Sequence, residues 1–311
     1  MTRFRRGVAL FQLLVILAVI VILIGLLLPA VQKVRIAAAR MQSANNLKQL
    51  ALGVHSYNDA YNTMPSGLDA NGFSVHAHLL PYIEQENVYR LIDFKKDALS
   101  KENKKGREVL IKTFVSPLDT VVPAKVEAAE PVEAKSFGTN YFGSAGSKHA
   151  LKDNNGLFFS DTKISLAKIS DGTSNTLMFI EGLQGDGGTK ATTVARQHVR
   201  LAAKDLGGLK EDAGTTQWKD DKQIAGDRGH SWISGKFLQT VQTATRNLND
   251  KKPDVDCGGL GGLSAPRGLI GGVNVALADG SVRFLNEKVS LKTWQAASTR
   301  DGGEVIGMDD W

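Results

Sequence analysis

The chain has 311 residues, 42% of them hydrophobic and 23% charged, with a formal net charge of +6 at pH 7. These proportions are ordinary for a folded protein with room for one large core or two small ones, and so modest a basic excess identifies neither a nucleic-acid nor a lipid partner. A single cysteine, Cys257, excludes an intrachain disulfide and leaves the compartment to be read from the N-terminus.

Arg3, Arg5 and Arg6 precede Gly7, and the run Val8 to Leu28 carries no charge, with Gln12 its one strongly polar residue. Seventeen of these 21 residues are Leu, Ile, Val or Phe. At 1.5 Å per residue the run is about 31 Å long, which matches a hydrocarbon core of about 30 Å. A soluble core helix is rarely apolar on every face. The run is also too long for a cleaved signal peptide, and Leu26-Leu27-Leu28-Pro29 is not the small-residue site such a peptide ends on. Lys33, Arg35 and Arg40 nearly balance the leading arginines, so charge alone leaves the orientation open.

Beyond Pro29 the apolar residues keep helical spacing. Leu27, Val31, Val34, Ala38 and Met41 form one stripe, and Leu47, Leu50, Val54, Tyr57 and Tyr61 a second, with a phase break at Asn45-Asn46. Asn62 to Gly67 ends the pattern. The expectation is a helix over residues 8–62, half of it in lipid and half packed on a core.

Residues 63–311 read as a β-rich globular domain. Leu177 to Glu181 is an apolar strand pattern entered through the turn-rich Ser170-Asp171-Gly172-Thr173-Ser174-Asn175-Thr176. The spacing of Asp171, Asn175 and Glu181 matches no calcium loop. Residues 184–229 are rich in glycine and charge with weak periodicity, as a variable insertion would be, and Val121 to Ser136 reads as an exposed connection. Near the C-terminus, Val273, Val275 and Leu277 alternate with Asn274 and Ala276 ahead of Asp279-Gly280. A two-residue type I′ turn there would place Leu277 opposite Val282 and Val275 opposite Phe284. That assigns Asp279 and Gly280 to turn geometry.

The residues offer little chemistry. The six histidines fall in no zinc or triad pattern. His76-Ala77-His78, read as a strand, would put two imidazoles on one face without a third ligand. Cys257 lacks basic neighbours that would activate it, and the glycines around 258–262 lack the strand and helix of a phosphate cradle. No catalytic residue, metal site or cofactor is expected.

A basic leader (1–7) ending in glycine, then Gly7-Val8-Ala9-Leu10-Phe11-Gln12-Leu13-Leu14-Val15-Ile16 and an amphipathic continuation, resembles type IV prepilins and pseudopilins. Leu28-Pro29-Ala30-Val31-Gln32-Lys33-Val34-Arg35, Asn45-Asn46-Leu47-Lys48-Gln49-Leu50, Leu80-Pro81-Tyr82-Ile83-Glu84-Gln85-Glu86-Asn87, Thr139-Asn140-Tyr141, the 170–176 segment and Ala278-Asp279-Gly280-Ser281-Val282-Arg283-Phe284 are similar to the planctomycete-type DUF1559 family of pilin-like proteins. The resemblance implies an α+β, pilin-like fold and cleavage by a prepilin peptidase between Gly7 and Val8. It also implies assembly with other pilin-like subunits through the position of Gln12, where prepilins carry glutamate. The family's C-terminal signature has a histidine where this chain has Leu269, and relatives often carry cysteine near Ser116.

The resulting expectation is a single-pass protein of the cytoplasmic membrane with its globular domain outside, acting as a structural or assembly component. The alternative is an extracytoplasmic module that binds surface glycan or DNA and uses the helix as an anchor.

Overall fold

The computed structural model describes residues 2–119 and 136–304, with backbone alone for residues 2–11 and 19. The connection read at 121–136 thus falls, all but Ser136, outside the described residues. The chain divides into two units, Met1–Met41 and Gln42–Trp311.

Helix α1 runs from Thr2 to Tyr61 and passes through Pro29 and the Asn45-Asn46 phase break. In the first unit the described leucine, isoleucine, valine and methionine side chains from Leu13 to Met41 are exposed. This part is long and apolar enough to cross a membrane. In the second unit the sequence stripe becomes core: Leu47, Leu50, Ala51 and Val54 are fully buried, and Tyr57 packs against them. The helix stops where Asn62 takes a left-handed φ of 55°, a conformation asparagine tolerates better than most residues.

Three short helices follow: α2 (Val75–Leu79), α3 (Glu86–Tyr89) and α4 (Lys104–Arg107). The strands are β1 (Tyr141–Gly146), β2 (Leu177–Glu181), β3 (His198–Leu201), β4 (Ile224–Ala225), β5 (Val241–Thr243), β6 (Asp254–Cys257), β7 (Gly262–Leu263), β8 (Gly272–Leu277) and β9 (Val282–Asn286). Helix α5 (Thr215–Lys219) precedes β4, and α6 (Leu291–Ser298) follows β9. A five-stranded sheet has the order β5-β1-β2-β8-β9, and a four-stranded sheet the order β4-β3-β6-β7. The β1–β5 and β3–β6 pairs are parallel and the others antiparallel.

The large sheet is covered on both faces. One core joins the second half of α1 to Tyr141, Ala145, Met178, Phe179, Ala276 and Ala278. The other joins Leu177, Ile180, Val273, Val275, Leu277 and Leu285 to Trp294 and Ala297 of α6. The register shift between Leu177 and Phe179 is what lets two successive residues, Met178 and Phe179, enter the same core, since a bulge breaks the period-two alternation. This is the α+β, pilin-like arrangement the sequence leads one to expect. Within the 184–229 segment, β3 and β4 enter the small sheet, whose own core is Val199, Ile224, Val255, Cys257 and Leu263 with Trp218 packed against it.

Two local expectations are corrected. His76 and His78 lie on α2, a helix capped by Ser74, whose hydroxyl accepts from the Ala77 N–H at 3.2 Å. Residues two apart do not share a helix face: His76 packs among the Phe114 and Phe179 rings, while His78 Nε2 meets Asp69 at 3.0 Å. The alternation of Phe73, Val75, Ala77 and Leu79, all buried, imitates a strand because every side of this short helix is covered.

The C-terminal hairpin is also one residue longer at its turn than Asp-Gly alone implies. Ala276 pairs with Val282, Val275 with Arg283 and Asn274 with Phe284. The Gly280 N–H donates to Leu277 O and the Leu277 N–H to Ser281 O, so Ala278, Asp279 and Gly280 form the loop. Gly280 has φ +79°, and neither Ala278 nor Asp279 has a positive φ, which excludes type I′ and fits a three-residue loop with glycine at its left-handed position.

Candidate functional site

The sequence motifs of the globular unit converge on α1. The Lys48 ammonium donates to the Gly280 carbonyl at 2.7 Å. A Cβ built on Gly280 would lie 3.7–3.9 Å from Lys48, His55 and Ala51, so the turn rests directly on the helix. On its other side the Ala278 and Asp279 N–H groups donate to Thr176 O and Thr173 O at 2.8 and 2.9 Å, joining the 278–284 motif to the 170–176 motif. Asp279 accepts from the Ser281 N–H at 2.7 Å and is exposed. Asp171 holds the Gly302 and Gly303 N–H groups at 2.8 and 2.9 Å. Both aspartates thus serve loop geometry.

Glu181, at the end of β2 and 7% exposed, centres a second network that includes Tyr141 and Asn46 of the motifs. The hydroxyls of Ser43 and Ser116 donate to its Oε1 at 2.6 and 2.5 Å. The backbone and side-chain nitrogens of Asn274 donate to Oε2 at 3.1 and 2.8 Å. The Tyr141 hydroxyl donates to Ser43 Oγ at 3.1 Å, and Asn46 Nδ2 reaches both the Tyr141 hydroxyl and Val115 O. Asn46, at the phase break of the stripe, is therefore the polar contact that closes this network. Glu181 and Asp171 have separate partners and do not form one ligand set. Leu269 is exposed and lines a small cleft of about 20 Å³ that Glu181 and Asp119 also border.

Gln12 is exposed on α1. Gly7 and Val8 lie outside the residues whose side chains are described.

The densest group of titratable side chains lies elsewhere, in a cavity of about 310 Å³ between strands β3 and β6 of the small sheet and the 227–239 segment. Asp227 Oδ2 accepts from Arg200 Nη2 at 2.5 Å and is 3.3 Å from Gln239 Nε2. Its Oδ1 makes no hydrogen bond within the chain; His198 Nε2, 3.5 Å away, is too poorly placed. Burial alone would raise the Asp227 pKa, but His198 and Arg200 hold it below its ordinary value. Asp256 is the opposite case: burial pushes it up to about 7 against the lowering effect of the Gly259 N–H, which donates to Oδ1 at 2.8 Å. Burial lowers His230, whose Nε2 meets Gly185 O at 3.1 Å and whose Nδ1 is unpartnered. Two carboxyl groups driven apart in pKa within one cavity are a recurrent mark of binding and chemical sites.

These residues escaped the sequence reading. Arg200 and Asp227 sit in the 184–229 stretch that reads as an insertion, and Gly258 and Gly259, which form part of the cavity wall, read as loop glycines. The one local signal is the density of polar residues in Asp227-Arg228-Gly229-His230. Beneath the cavity, Asp254 is paired with Arg228 and, at 2.5 Å, with Arg267, all three buried. Arg228 also donates to Gln242 of β5 at 2.9 Å, linking the small sheet to the large one. Burial alone would raise the Asp254 pKa, but the two arginines hold it low.

His76, fully buried, has its pKa lowered by burial to about 3. Cys257 is a buried free thiol, raised to about 11 by burial and by Asp256, and so is unreactive at neutral pH. Among the described residues no cluster of histidine, cysteine and carboxylate side chains could hold a metal ion.

No curated protein and no solved structure matches this chain. A family model described as "Protein of unknown function (DUF1559)" matches residues 32–292. That span holds the second half of α1, both sheets and the motifs that meet at Gly280 and Glu181, and the chain belongs to the DUF1559 family.

Proposed function

We propose that this protein is a pilin-like structural or assembly component, held in the cytoplasmic membrane by the first half of α1 with its globular unit on the outer side. The observation that carries the proposal is the change of character along a single helix: apolar on all sides and exposed as far as Leu28, amphipathic beyond Pro29 and buried on one face from Ser43 onward. A helix apolar on all sides finds its solvent in lipid, while the second half fixes the sheet to the anchor. In this reading the partners are a prepilin peptidase, which cuts between Gly7 and Val8, and other pilin-like subunits. The protein acts by assembly and not by catalysis.

Mass spectrometry of the protein purified from membranes tests the reading. The expected mature N-terminus is Val8 with the apolar helix retained. An intact Met1, or a terminus beyond Leu28, would overturn it.

A further inference from the structure

We propose that the cavity between the small sheet and the 227–239 segment is a saccharide-binding site that takes a neutral sugar ring through adjacent hydroxyl groups. The cavity belongs to the globular unit alone, so the proposal is independent of whether the chain enters a filament. Its volume of about 310 Å³ lies at the low end of the range of about 300–1,000 Å³ for small-molecule sites. That suits one or two sugar rings and is too small for a folded partner.

The polar groups offer both donors and acceptors at close quarters. Asp227, its side chain 19% exposed, lines the cavity with a carboxylate that Arg200 and Gln239 hold through Oδ2. Arg200 gives one N–H to Asp227 while its side chain remains 40% exposed, so the rest of its planar fork is open to an incoming acceptor. A carboxylate beside a guanidinium matches neighbouring sugar hydroxyls, one donating and one accepting. Asp256, which burial raises to about 7, adds a carboxyl group to the lining, and the half-buried Leu99 and Leu201 add apolar area for the C–H face of a ring.

The same residues argue against other ligands. A divalent cation would face Arg200 and Lys236. A phosphate or uronate would face Asp227. A nucleic-acid strand needs a continuous run of cations and exposed aromatic faces, whereas each cation here stands opposite a carboxyl group.

Saturation-transfer NMR on the full chain in a polyoxyethylene detergent, which carries no sugar headgroup, tests this. The probes are the methyl glycosides of glucose, galactose, mannose and N-acetylglucosamine, with methyl glucuronide and a single-stranded oligonucleotide as comparisons. We expect transfer to at least one neutral glycoside, weakened tenfold or more by Arg200→Gln and by Arg200→Lys, which keeps the charge beside Asp227 but not the planar fork, at an unchanged unfolding midpoint. If Arg200→Gln does not fold, Arg200→Lys alone decides. Silence from all four neutral glycosides, equal affinity in the folded variants, or preference for the glucuronide or the oligonucleotide would each overturn the proposal.

Discussion

Ser43 of α1 donates its hydroxyl to Glu181 of β2 at 2.6 Å, a bond between residues 138 positions apart that is wholly shielded from water. Ser43 also accepts from Tyr141, so removing its hydroxyl takes the acceptor from the Tyr141 O–H and leaves Glu181 Oε1 with Ser116 as its one donor. Ser43→Ala should cost about 1–3 kcal/mol, read from the urea midpoint at unchanged slope. A loss below about 0.5 kcal/mol, the scale of a surface substitution, would mean that the network does not hold the helix to the sheet.

The observed hairpin register reverses the order of importance of two neighbours. Leu285 is 1% exposed and packs with Trp294, whereas Phe284 is half-buried. Leu285→Ala should therefore cost about 2–5 kcal/mol and exceed Phe284→Ala. At the turn, Gly280→Ala meets no close atoms, so its cost of about 1–2 kcal/mol is backbone strain at positive φ. Asp279→Asn, which keeps the acceptor for Ser281, should be nearly silent. Thermal unfolding of the four variants gives the order; Phe284→Ala as the most damaging would restore the two-residue turn.

Acid should weaken the fold through His76. Its folded pKa of about 3 lies below the unfolded value of about 6.5, so the unfolded chain binds the extra proton first. Stability from this residue is complete above pH 6.5 and drains away as pH falls toward 3, by about 2 kcal/mol between pH 7 and pH 5. His198, lowered by burial to about 4, acts in the same direction. Asp256, whose folded pKa is raised to about 7, acts in the opposite one, because its stabilisation grows as pH falls from 7 toward its unfolded value near 4. The net slope thus hides His76, but a variant exposes it. The stability gap between wild type and His76→Gln should narrow by about 2 kcal/mol on going from pH 7 to pH 5. A gap that stays constant would show that His76 accepts a proton in the folded protein.

If pilin-like subunits join by pairing a carboxylate with a neighbour's terminal ammonium, Gln12 supplies no charge to the contact. Most of the Coulomb attraction offsets desolvation, so the expected deficit is on the order of 1–3 kcal/mol per contact. Gln12→Glu should then raise recovery of the protein in sheared surface filaments, with wild type remaining in the membrane fraction. Equal and abundant recovery of both would remove charge pairing as the explanation.

The parts of the fold legible in the sequence are those where one periodicity dominates. Leu47, Leu50 and Val54 are read from a helical stripe, and Val273, Val275 and Leu277 from alternation, because each lies on an element with one neighbour type per face. The α2 histidines were misread because a helix covered on all sides carries no polar face to reveal its period. The hairpin register depended on whether the loop had two residues or three, which Asp-Gly fits equally well when glycine occupies the left-handed position. The cavity was illegible for a different reason: Arg200, Asp227 and Asp256 come from β3, a loop and β6, and only the parallel pairing of β3 with β6 brings them together.

The pairing of β2 with β8 has a consequence for synthesis and truncation. Everything from 182 to 271 intervenes between two strands that lie side by side, so β2 has no partner on that edge until the last fifth of the chain has been made. Until then Leu177-Met178-Phe179-Ile180 is an uncovered apolar margin, the kind of template on which another chain can add, and closing so long a loop is slow. Losing a few residues after α6 would leave the sheet intact. A stop anywhere between Ala225 and Gly272 would instead yield a chain with a bare edge, prone to pair with its own copies.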